Sequence, residues 1–175
     1  MKGIYYMTIT ETINARRSIR KYKTDIPVTK EQLDRLLYAA MHAPSACNTR
    51  PWEFIAITKR EVLDKIAQTH PYADMCKTAT AAIIVVAVPQ QGMAEGYFPQ
   101  DCGAATENIL LEAAGMGLGT CWCGVYPKEA RMAEMAELFG IREPKIPFCV
   151  IAIGVPDESP KSRGFFEESK VQYII

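Results

Sequence analysis

Arg16, Arg17, Arg20, Lys21 and Lys23 place five cations within eight positions of ARRSIRKYK (15–23), around the hydroxyl of Ser18 and beside Tyr22. No carboxylate lies inside the run. In a chain whose formal net charge is zero, such crowding carries a repulsion that either solvent disperses or a bound anion offsets. Guanidiniums are planar forks of donors that meet phosphate oxygens two at a time. With helical spacing, Arg16 and Arg20 share one face. The chemistry on offer is anion binding, set against the ordinary fate of a charge run as a solvated helix face.

Three further stretches carry polar chemistry. APSACNTRPWEF (43–54) is a proline-bracketed turn running into a strand, with Trp52 and Phe54 as core. Its Ser45, Asn48 and open backbone are uncharged donors and acceptors, better matched to the edge of a flat heterocycle than to a phosphate. GMGLGTCWCG (115–124) is glycine-rich, but its glycines close a helix instead of opening one after a strand, so it is no dinucleotide fingerprint. In GVPDESPKSRGF (154–165), Lys161 and Arg163 are either surface charges or a return to the arginine cluster that completes an anion site. The six cysteines (47, 76, 102, 121, 123 and 149) contain no CxxC, and His42 and His70 are far in sequence from Cys121 and Cys123. No metal site is expected, and the thiols read as mostly reduced and structural.

The elements that must position these groups fit one domain spanning residues 1–175, long enough to bury a substantial core. Net neutrality argues against nucleic acid as a partner. The longest apolar run, AAIIVVAVP (81–89), is too short to cross a bilayer. MKGIYYMTITET lacks the pattern of a secretory signal, so the expected location is the cytoplasm and no membrane partner is expected.

Thr10 or Thr12 caps a short helix that runs into the arginines. Thr29 and Gln32 form a capping box for a helix with Leu33, Leu36, Leu37, Ala40 and Met41 on one stripe, stopped by Pro44. WEFIAIT (52–58) reads as a strand, REVLDKIAQTH as a helix, and AIIVVAV (82–88) as a strand buried on both faces. A helix from about Gln100 to Met116 is apolar on nearly every side, so it needs cover all round, part of it from a second copy of the chain. TCWCGVY (120–126) is a turn or short extended piece, Lys128 to Phe139 a helix, and PFCVIAIGVP (147–156) a second buried strand. KVQYII (170–175) is expected to pair with a sheet edge, its own or a partner's. The sum is a sheet of four or five strands between helices.

In this order, RRSIRKY, APSACNTRPWEF, the glycine-rich helix end with TCWCGVY, and IAIGVP followed by Lys161 and Arg163 resemble the nitroreductase family of flavin enzymes, over about Thr12 to Arg163. The resemblance implies an α+β fold, an α/β sandwich with a central, mostly antiparallel sheet flanked by helices, dimeric with exchange of the C-terminal strand. It implies FMN as cofactor, with Arg16, Arg17, Ser18 and Arg20 on its phosphate and ribityl chain, and Arg163 with Lys161 closing the phosphate from the other side. Pro44, Ser45 and Asn48 match the segment lying against the isoalloxazine, often from the second subunit of a homodimer. Trp122, Cys123 and Gly124 match the stretch whose backbone approaches the ring. The implied reaction passes hydride from NADH or NADPH to FMN and then to a small-molecule acceptor such as a nitroaromatic or quinone, with no catalytic acid, base or nucleophile from the protein. Position 50 is Arg where many relatives have Gln, and the 89–99 segment is short, which implies an open cleft. Two other readings share these residues: a flavin-holding or regulatory protein with little turnover, and a thiol enzyme using Cys121 or Cys123.

Overall fold

A computed structural model describes residues 7–161 and 164–175. Four strands, β1 (Trp52–Ile57), β2 (Ala81–Ala87), β3 (Gly119–Gly124) and β4 (Ile146–Gly154), form one antiparallel sheet in the order β1-β2-β4-β3. The two central strands are the continuously apolar ones. Every residue of β2 is buried, because successive side chains enter two separate cores. Ile83, Val85, Ile151 and Ile153 pack on one face with Leu33, Leu36, Ala40, Ile109 and Leu110. Ala82, Ile84, Val150 and Ala152 pack on the other with Leu63, Ile66 and Met135.

The first layer is built by α2 (Lys30–Met41) and α4 (Phe98–Gly115), the second by α3 (Arg60–Thr69) and α5 (Glu129–Phe139). Local chemistry sets these boundaries as expected: the Thr29–Gln32 capping box opens α2, and Gly140 in the left-handed region closes α5. Met41, expected on the buried stripe of α2, is instead exposed. The first helix, α1 (Ile9–Ala15), departs from expectation at both ends. Its cap is Thr8, in a reciprocal box with Glu11, and it stops before the arginines. TCWCGVY contributes a full edge strand. The tail at 170–175 makes no strand. It follows a 3₁₀ turn at Glu168–Lys170 as irregular backbone with Tyr173 and Ile174 exposed. Among the described residues no helix is long and apolar enough to cross a membrane.

The stretch after α1 is extended and lies across the ends of β3 and β4. Ile19 N–H donates to Thr120 O at 2.8 Å and Lys23 N–H to Val155 O at 2.9 Å. Two glycines make this docking possible. A Cβ on Gly119 would lie 2.8 Å from the Ile19 side chain, and one on Gly154 would lie 2.9 Å from the Tyr22 ring. Ile19 and Tyr22 therefore lie on bare backbone, which carries the charged residues between them to one corner of the sheet.

Candidate functional site

Because α1 ends at Ala15, Arg16 and Arg20 do not share a helix face; they project from extended backbone. Arg16, Arg17, Ser18 and Arg20 line one cavity of about 420 Å³ together with Pro160 and Lys161 from the loop after β4. Arg163 lies outside the described residues. Two acids that are distant in sequence meet the cluster. Glu107 of α4 pairs with Arg16 Nε at 3.3 Å. Glu158 accepts the backbone N–H groups of Arg20 and Lys21, the latter at 3.2 Å, so it fixes the chain and takes up backbone donors. Arg17 donates through Nη1 to the Arg16 carbonyl, while its Nε is buried without a partner among the described residues. The charged side chains lining the cavity are three guanidiniums and one ammonium, with no carboxylate among them. The donor set therefore fits a phosphate.

Beside this cavity runs the outer edge of β3. Thr120 turns its carbonyl outward to Ile19, and Val125 N–H donates inward to Phe148 O at 3.1 Å. By antiparallel alternation, the N–H groups of Trp122 and Gly124 face the open edge. From Thr120 to Gly124 this edge extends about 13 Å away from the cations. The Trp122 side chain is half exposed and tilted against Phe148, with ring centroids 6.2 Å apart. Nothing lies within 4 Å of a Cβ placed on Gly124, so its bare backbone faces open space.

Cys121 and Cys123 point the other way, into the second core. Cys123 donates to Tyr72 O at 3.2 Å. The Cys121 thiol is held below its ordinary range, first by hydrogen bonding with Cys123 and then by the charge of Arg20, against the opposing effect of burial. Burial pushes Cys76, Cys102 and Cys149 up to about 12. The fold brings His70 to the end of β3, but both of its ring nitrogens face backbone groups, Gly124 O and Tyr72 N–H. No thiolate base is thereby supplied. Among the described residues no group of three or more His, Cys, Asp or Glu side chains could hold a metal ion.

Pro44, Ser45 and Asn48 do not line the cation cavity. They belong to a preformed loop around a 3₁₀ turn at Ala46–Asn48, where Cys47, Asn48 and Arg50 adopt φ of 51°, 54° and 50°. Left-handed backbone at a residue other than glycine costs of order 1–3 kcal/mol, so the surroundings must impose it. Ser45 Oγ accepts from Arg50 N–H at 2.9 Å, and Arg50 Nε donates to Asn48 Oδ1 at 3.2 Å. Arg50 thus braces the loop and makes no ion pair among the described residues. The Ala46 N–H donates at 3.1 Å to Asp101, a buried carboxylate near the start of α4. Sequence reasoning missed Asp101; its one signal is an acid on an otherwise apolar stretch of helix.

The comparisons with known proteins agree with this architecture. The family model described as the Nitroreductase family matches residues 13–70 and 68–155. A protein of Methanothermobacter thermautotrophicus, provisionally named NADH dehydrogenase/NAD(P)H nitroreductase, is 46% identical over 94% of this chain and 86% of its own. A crystal structure from Clostridium acetobutylicum, provisionally named an NADH oxidase, superposes with TM-score 0.87 at 42% identity, covering 92% of this chain and 97% of that one. A structure from Clostridium difficile titled FMN-dependent nitroreductase gives TM-score 0.84 at 32% identity, covering 93% and 96%. With the family model spanning most of the sequence and close relatives matching almost end to end, the chain belongs to the nitroreductase family.

Proposed function

We propose that the chain is an FMN-dependent oxidoreductase that takes hydride from NADH or NADPH and passes it to a small acceptor such as a nitroaromatic or quinone. The observation that carries this reading is the cavity in which Arg16, Arg17, Arg20 and Lys161 converge with no carboxylate among its lining residues. The provisional NAD(P)H nitroreductase and the FMN-dependent nitroreductase among its relatives support it.

In this reading the guanidiniums and Lys161 neutralise the phosphate dianion and Ser18 adds a hydroxyl; Arg163 is assigned to the same phosphate. The outward N–H groups of Trp122 and Gly124 orient the ring and stabilise negative charge that develops on it. When bound, FMN supplies the chemistry, accepting two electrons as hydride from the nicotinamide and returning them with a proton to the acceptor. The chain itself binds, orients and leaves one face open.

Pro44, Ser45 and Asn48 act on the ring across a homodimer in the cytoplasm. A groove of about 520 Å³ supports that assembly: it runs between α1, α2 and α4, with Ile9, Ile13, Tyr38 and Leu111 as its apolar lining and the Arg35–Glu112 pair beside them. At the far side of the sheet, β1 is an edge strand, and the exposed apolar tail at 170–175 is suited to pair with β1 of a second copy. Light scattering on the intact chain is expected to give a dimer, and a chain ending at residue 169 a monomer or a dimer at least tenfold weaker. A monomeric intact chain contradicts the assembly, and an undiminished truncated dimer contradicts the strand pairing.

The test of the activity is anaerobic mixing of the FMN-loaded protein with NADH or NADPH. Loss of the flavin absorbance, restored by a quinone, is the expected result. A flavin that stays oxidised favours the non-catalytic flavin-binding reading, and a protein that holds no FMN overturns both.

A further inference from the structure

At the end of β3 the carbonyl of Gly124 receives two side-chain donors from the helical layer beneath the sheet. His70, buried where α3 ends, brings Nε2 within 3.0 Å of it. Arg131 of α5 brings Nη1 within 3.3 Å. The other ring nitrogen of His70, Nδ1, lies 3.2 Å from the Tyr72 N–H. A carbonyl only accepts and an amide N–H only donates, so the imidazole is neutral with its hydrogen on Nε2. Burial first, and then the charge of Arg131, hold its pKa below the ordinary histidine value; the bond to Gly124 and the Glu134 carboxylate act in the opposite direction. Arg131 is itself held, its guanidinium carbon 4.8 Å from the centroid of the Tyr72 ring.

This arrangement is concentrated on the last residue of β3, which has no side chain to pack. Gly124 has no side chain, and a glycine backbone samples both signs of φ at little cost. Its carbonyl faces outward, away from β4, while the Val125 N–H of the same planar peptide group donates inward to Phe148 O at 3.1 Å. The ladder thus holds the inner side of this peptide group, and the His70 and Arg131 side chains hold its outer side, at the point where the strand leaves the sheet.

We propose that His70 and Arg131 are positioning residues: they clamp the Gly124 carbonyl and so hold the Trp122–Gly124 edge with its N–H groups aimed at the flavin ring. The inference rests on the FMN reading above and adds residues that touch neither the flavin nor a substrate.

The test measures FMN affinity by quenching of flavin fluorescence, and the midpoint potential of the bound flavin, in the wild type, H70L, H70Q and R131A. H70L and R131A each remove a donor from Gly124, and each is expected to weaken FMN binding by about tenfold. Both are also expected to move the midpoint potential away from the wild-type value. H70Q retains an amide donor close to the position of Nε2 and is expected to recover most of both. R131A removes a half-buried side chain at the rim and keeps the fold, so the clamp remains testable if H70L does not fold. Wild-type affinity and potential in R131A and H70Q, together with the same result or failure to fold in H70L, overturn the clamp. So does an affinity loss that follows melting temperature while the potential stays fixed. A wild-type chain that binds no FMN removes the function reading itself, and the clamp's purpose with it.

Discussion

Replacing both Arg16 and Arg17 with alanine is expected to raise the Kd for FMN by about 10²–10⁴-fold, since each charge-assisted contact to a phosphate is worth about 1.5–3 kcal/mol. The two arginines are not equivalent. Arg16 already holds Glu107 through Nε at 3.3 Å, on side chains that are about one-third and two-fifths exposed. Part of its charge is therefore neutralised and screened before any ligand arrives. Arg17 donates to the Arg16 carbonyl and makes no ion pair among the described residues, so its charge is not neutralised before a ligand arrives. R17A alone is accordingly expected to weaken binding more than R16A alone. R17K, which keeps the charge but loses the planar fork, is expected to fall between R17A and the wild type. The measurement is a fluorescence titration of apo protein with FMN at fixed ionic strength. If R17A holds FMN as tightly as the wild type, the phosphate assignment is wrong.

The second large effect is on stability and follows from how the cations are carried. Tyr22 is buried, its hydroxyl donates to Ile19 O at 2.6 Å, and its ring lies against the bare backbone of Gly154. Tyr22→Ala removes this anchor, and truncation of a buried aromatic costs about 3–5 kcal/mol. In a chain of this length that corresponds to a fall in Tm of roughly 6–20 °C. Tyr22→Phe deletes only the hydroxyl donor and is expected to cost about 1 kcal/mol. Thermal unfolding of the flavin-free protein, followed by circular dichroism, separates this effect from ligand binding. FMN titration of whatever folded Y22A remains should also show weaker binding, because residues 16–20 lose their attachment to the sheet corner. A Y22A variant within 1 kcal/mol of the wild type by denaturant titration would mean that Tyr22 is not what holds the segment.

Much of the framework was legible because it depends on neighbours in sequence. The capping box at Thr29 and Gln32, the apolar stripe of α2, the terminating Gly140 and the two continuously apolar strands are local patterns with one favourable outcome each. The boundary of α1 was misplaced by the same kind of reasoning. Thr8, Thr10 and Thr12 all precede or enter the helix, and only the reciprocal bond with Glu11 selects Thr8. The strand character of Gly119–Gly124 was obscured by its glycines. One of them, Gly119, is required by the close approach of Ile19 and not by a turn.

The amino-acid sequence by itself determined which groups could do the chemistry: a cluster of guanidiniums without a local counter-charge, a polar loop with Ser45 and Asn48, and a long helix apolar on nearly every side. Tertiary structure alone decided how they are used. It set the cations on extended backbone, brought Lys161 to the same cavity, supplied Glu107 and Glu158, and braced the loop through Asp101. It also placed His70 and Arg131 on the carbonyl of Gly124, 54 and 7 residues away along the chain. The physical reason is that caps, stripes and strand patterns follow from interactions between residues a few positions apart. A pairing across the fold exists only once the sheet has fixed the distance between its partners.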